Sequence, residues 1–120
     1  MKILDLSVTY YWYDMIALGF KDEEYREFKR FYNVRFKKNK IPTICSNITC
    51  DYCIYSNCTT IKYDAVRFHR GQGSKITMLV KWEGLEYGFG NPILGAPRDR
   101  KVWIIKLGKV LEQGKDYSIF

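Results

Sequence analysis

Long apolar runs are missing from this chain of 120 residues. No stretch approaches the roughly 20 residues a helix needs to cross a bilayer, which excludes a helical membrane protein. Residues 1–20 hold one early lysine, an aspartate at position 5 and no extended apolar region, so no secretory leader is legible. The expected location is therefore the cytoplasm, in soluble form and without a membrane partner. Two glycosylation sequons, Asn47-Ile48-Thr49 and Asn57-Cys58-Thr59, mean nothing without a secretory route. Histidine occurs once, at His69 beside Arg70 and a turn, where it reads as an exposed polar residue rather than a catalytic base. Proline is scarce: Pro42 stops a helical pattern, and Pro92 and Pro97 fall in or just after a glycine-rich stretch. Internal repeats, linkers and low-complexity segments are absent, which leaves a single domain spanning 1–120.

Acid is also in short supply. Thirteen Asp and Glu face 20 Lys and Arg, a net charge of +7. The excess is concentrated. From Arg26 to Lys40 there are seven basic residues and one acid, Glu27, a local excess of six. Phe28, Phe31, Tyr32 and Phe36 are interleaved with them, a composition suited to a polyanion such as nucleic acid. A solvated amphipathic helix is the plainer explanation of the same run. Aromatic residues are plentiful, ten Tyr, seven Phe and three Trp, and supply the large side chains of a core.

Taken in order, residues 2–8 alternate, with Leu4, Leu6 and Val8 on one side, and predict a first strand. Ser7 or Thr9 can cap the helix that follows over residues 10–18. On that helix Tyr11, Met15 and Leu18 share a face, with Trp12 and Ile16 beside it, and are expected in the core. Gly19 fits the residue just past the helix end, where a left-handed backbone is needed. A short strand is expected over about 23–28. Phe28, Phe31, Tyr32, Arg35 and Phe36 then recur at helical spacing, which places one aromatic stripe on the core and Lys29, Arg30, Lys37 and Lys38 toward solvent or a nucleic-acid backbone. Strands are expected over 63–68 and 75–87, joined by a turn at 69–74 into a hairpin. The glycine-rich stretch 84–95 has the wrong spacing for a dinucleotide fingerprint and reads as a loop. A last strand is expected over 102–111.

All four cysteines lie in one segment, 43–60, as Cys45, Cys50, Cys53 and Cys58. Thiolates at this density can hold a structural zinc ion, which would fold a loop with no core of its own. The spacing lacks the paired C-x2-C knuckles of common zinc sites, so ordinary reduced thiols remain an equal reading. Disulfides are out of place in the cytoplasm, and no iron–sulfur spacing is recognisable. No cofactor is required by anything else in the sequence.

The most informative stretch is 19–26, which holds Gly19, Lys21, Glu24 and Arg26. In an extended segment Glu24 and Arg26 point one way and Tyr25 the other, and Lys21 can reach the same side. A carboxylate between two cations can orient a ligand or hold a lysine for proton transfer. On spacing alone, a loose solvated ion pair is the better explanation. The pattern G-x-K-x-x-E-x-R resembles the signature of the ASCH domain, a small PUA-like family. The opening strand 3–7, the segment 63–71 and the closing segment 102–110 are similar to strands of bacterial and phage-type members. The segment 43–60 is an insertion relative to the shortest of them.

The resemblance implies an α+β fold, a small PUA-like mixed β-barrel with one or two flanking helices. It also implies RNA or nucleotide binding in a cleft that carries Lys21, Glu24 and Arg26, with no obligate protein partner. Some similar small proteins are amidohydrolases that remove the acetyl group of N4-acetylcytidine, using a lysine, a threonine three residues later and a glutamate on a later strand. By that likeness Lys21 is the lysine, Glu24 stands where the threonine would be, and Glu83 or Glu86 is the glutamate. Others of the family are ribonucleases. An interaction protein with an empty cleft is the plainest alternative.

Overall fold

A computed structural model describes residues 1–36 and 61–113. Its elements are β1 (Ile3–Val8), α1 (Tyr10–Ala17), β2 (Glu23–Arg26), α2 (Arg30–Phe36), β3 (Ala65–Arg70), β4 (Thr77–Gly88), a 3-10 turn (Pro92–Leu94) and β5 (Val102–Gln113). The strands form one sheet in the order β1-β3-β4-β5-β2. The α+β class is as expected: among the described residues, one five-stranded sheet of mixed direction with two helices. By contact density the chain divides into two compact units. The first takes in Met1–Glu24, Tyr63–Gly84 and the chain from Ile105; the second takes in the chain from Tyr25 and Leu85–Ile104.

The first unit is organised by strand alternation. Leu4, Leu6 and Val8 are buried while Asp5 and Ser7 are exposed. β1 pairs with β3 in parallel, so that Leu4 stands opposite Val66 and Leu6 opposite Phe68. β3 turns back antiparallel onto β4, with Val66 opposite Val80 and Phe68 opposite Met78. These residues, with Trp82, Ile105 and Leu107, are the buried apolar layer, and their period of two follows from the pleat. The hairpin forms as expected, but β3 runs two residues further than periodicity suggested, through His69 and Arg70. The turn begins at Gly71, whose φ of +91° needs glycine and whose N–H donates to the Val8 carbonyl at 2.7 Å.

Helix α1 seats on this layer by a different face from the one its sequence suggests. Tyr13 and Ile16 are buried, while Tyr11 and Leu18 are exposed. Polar contacts choose the face. Asp14 receives a two-pronged hydrogen bond from Arg70, each prong 3.2 Å, and the guanidinium lies 4.4 Å from the Tyr10 ring centroid. Thr9 holds the N-cap position, but its hydroxyl makes no cap bond, and Ser7 lies within β1.

The second unit is built on aromatic packing. Trp103 lies 5.3 Å from both Phe28 and Phe36 and 5.9 Å from Tyr87, centroid to centroid. Asn33 is buried among them and accepts a 2.8 Å hydrogen bond from the Trp103 indole N–H. That buried polar residue shifts the expected stripe: Phe28 and Phe36 are buried as expected, but Asn33 takes an inward place and Phe31 faces out, as Val34 does. A buried donor left without its acceptor costs about 1–3 kcal/mol, so Asn33→Ala is expected to lower unfolding stability by that much in urea. An unchanged midpoint would mean the indole N–H finds another acceptor.

Candidate functional site

The site starts at the end of α1. The Gly19 N–H donates to the Ile16 carbonyl at 3.1 Å and the Phe20 N–H to the Met15 carbonyl at 3.0 Å, the paired bonds of a Schellman cap. Gly19 takes a φ of +85°, as its place in the sequence requires. A Cβ there would touch nothing, so Gly19→Ala is expected to cost only the left-handed backbone strain, about 1–2 kcal/mol, measurable by thermal unfolding. A substitution without cost would show that the cap rearranges.

The cap turns the chain so that Lys21 points inward. Its N–H also donates to the Met15 carbonyl, at 3.2 Å. β2 follows at once and is fastened to β5: the Leu107 N–H donates to the Asp22 carbonyl at 2.9 Å, and Lys106 pairs with Glu23. With the backbone held on both sides, the Lys21 ammonium comes to 3.5 Å from Glu24 Oε1, the two side chains 1% and 8% exposed. The ammonium also lies over the face of Trp12, 4.5 Å from the ring centroid. Trp12 is half-buried, and the ring of Tyr11 meets it edge-on at 4.7 Å.

This arrangement gathers a cation, a carboxylate and an aromatic face within one small region. Burying either charge alone costs several kcal/mol; the opposite charge and the indole offset part of it. The pair distance exceeds the roughly 2.7–2.9 Å of a tight charge-assisted bond, so this is an ion pair held by its surroundings rather than a locked hydrogen bond. Chemically it presents a donor and an acceptor a few ångströms apart beside an aromatic ring.

Arg26 belongs to the second unit, where its Nη1 donates to the Tyr32 hydroxyl at 3.2 Å. Glu83 is exposed and pairs with Lys81 at 3.4 Å, and Glu86 is exposed. Lys29 is exposed, 3.8 Å from Glu27, and Arg30 opens α2. Lys37, Lys38 and the cysteines Cys45, Cys50, Cys53 and Cys58 lie outside the described residues. Among the described residues no group of three or more His, Cys, Asp or Glu is arranged to hold a metal ion, and no helix is long and apolar enough to cross a membrane.

His69 is not the exposed residue its neighbours suggested. It is half-buried, with Nε2 2.8 Å from Asp5 Oδ1 and Nδ1 3.2 Å from the Ser74 carbonyl, and so ties β1 to the turn. Asn33 was not singled out by sequence reasoning, and Trp12 was read only as part of the aromatic core face of its helix. Trp12 carried no signal beyond its place nine residues before Lys21, and Asn33 none beyond a polar residue inside an aromatic stripe.

The chain matches no protein-family model, no curated protein and no solved structure at a significant level. The likeness to ASCH domains therefore rests on the residues quoted for it.

Proposed function

We propose that this protein is a binding module of ASCH type for RNA or a nucleotide, and that the Lys21–Glu24 pair is the centre of its recognition site. The observation that carries this reading is an oppositely charged pair kept out of water beneath an indole. Well-packed apolar residues of similar volume would stabilise the same place as well or better, so stability alone does not account for the pair, which favours a role in recognition. A nucleobase edge offers alternating donors and acceptors. The ammonium supplies a donor, the carboxylate an acceptor, and Trp12 an aromatic face beside them. The basic run that includes Lys29, Arg30, Lys37 and Lys38 adds salt-dependent attraction to phosphate.

The amidohydrolase alternative draws less support. The threonine that the resembled enzymes use is replaced by Glu24, and Glu83 already engages Lys81 on an exposed strand face. A direct assay separates the two readings: incubation with N4-acetylcytidine should leave it intact. Turnover that stops in Lys21→Ala would establish the enzyme instead. No cofactor takes part in the proposed binding.

The cysteines keep their zinc reading as a structural matter. Protein purified without added metal is expected to carry about one equivalent of zinc per chain if all four thiolates bind it, and a content below about 0.2 equivalents would leave them as reduced thiols.

A further inference from the structure

We propose that the outward face of α2 is a stacking platform for single-stranded nucleic acid, formed by Phe31 and Arg35. The inference rests on the nucleic-acid reading above but concerns a different place in the fold. Helical spacing assigned both residues to a buried stripe, yet Phe31 is 54% exposed and Arg35 only half-buried. One exposed phenylalanine is ordinary. This one is held in position. The Arg35 guanidinium carbon lies 3.8 Å from the Phe31 ring centroid, and Arg35 Nη1 donates to the Phe31 carbonyl at 2.7 Å. The Tyr32 ring meets Phe31 edge-on, at 4.9 Å and 90°. An aromatic ring fixed by a cation over its face and a second ring at its edge has lost its conformational freedom before any ligand arrives, which favours binding.

Phenyl rings and guanidinium planes are the surfaces on which unpaired bases stack. The charge around them identifies the occupant. Lys29 is exposed just before α2, and residues 26–36 hold Arg26, Lys29, Arg30 and Arg35 against one acid, Glu27, in a protein of net charge +7. That excess complements a phosphodiester chain and opposes a basic or purely apolar partner. The bases must be unpaired, because in a duplex their faces are already stacked on one another.

Fluorescence anisotropy with labelled oligouridylate and oligoadenylate of about a dozen nucleotides, at several salt concentrations, tests this. Phe31→Leu is expected to weaken binding about tenfold with an unchanged salt slope, because a stacking face is lost and no phosphate contact is. Phe31→Trp should retain affinity, since it keeps an aromatic face. Lys29→Gln should lower the salt slope by about one. The double variant Lys21→Met/Glu24→Leu should also weaken oligonucleotide binding, since it removes the proposed recognition pair. Thermal midpoints confirm that each variant folds. Parental affinity in Phe31→Leu, equal losses in the Leu and Trp variants, or equal binding of a duplex would each overturn the platform. Loss in the Lys21/Glu24 variant with Phe31→Leu unaffected would overturn the platform and leave the proposed function standing. A parent that binds no oligonucleotide at low salt would overturn the platform, while mononucleotide binding would decide the function separately.

Discussion

Glu24→Leu is expected to cost about 3–5 kcal/mol of unfolding free energy, because it removes the carboxylate facing a buried ammonium. The Lys21 side chain is 1% exposed and lies 3.5 Å from that carboxylate. The Trp12 face alone contributes about 0.5–2 kcal/mol to such a cation, less than the desolvation it must offset. Lys21→Met should cost less than Glu24→Leu only if Glu24 reaches water more easily, as its slightly greater exposure suggests. The double variant Lys21→Met/Glu24→Leu should recover most of the loss, to within about 1 kcal/mol of the parent, since neither charge is left buried. A double-mutant cycle in urea reads the coupling directly. A cost below about 1 kcal/mol for Glu24→Leu would match a solvated pair and contradict the burial on which the site depends.

Trp103→Ala is expected to be comparably severe, at about 3–5 kcal/mol, through loss of a large buried ring and the cavity it leaves. Trp103 is almost fully buried and touches Phe28, Phe36 and Tyr87. The indole also donates to Asn33, so the substitution leaves a buried acceptor to find a new partner. Trp103→Phe separates the two contributions: it keeps most of the packing and removes the donor. Pairing it with Asn33→Leu should cost less than the two single changes together, because donor and acceptor leave at once. Native domains are stable by only about 5–15 kcal/mol, so Trp103→Ala should unfold at markedly lower urea, with loss of cooperativity if the second unit melts first. A change below about 1 kcal/mol would show that the aromatic cluster does not hold this unit together.

Strand alternation was enough to locate β1, β3, β4 and β5 to within a few residues, because each buries one face and a period of two leaves little choice. The end of α1 was equally legible, since Gly19 alone could take the backbone that the cap requires. The helix faces were not. The segment Tyr10-Tyr11-Trp12-Tyr13 is aromatic on every side, so periodicity could not rank Tyr11 over Tyr13; Arg70 decided it, from 56 residues away. In α2 a buried asparagine displaced Phe31 from the core, and its reason, the indole of Trp103, lies 70 residues on. The spacing of Lys21 and Glu24 announced their proximity. Their burial depended on Trp12 and on the bonds of β2 to β5, which no local pattern contains.

The central claim is that the Lys21–Glu24 pair recognises a nucleotide. Calorimetric titration with the common ribonucleosides and their monophosphates, on the parent and on Lys21→Met/Glu24→Leu, tests it most directly. The account predicts saturable binding of at least one of them by the parent, and none by a double variant whose unfolding midpoint is preserved. Equal binding by both proteins, or no binding by the parent, would contradict it.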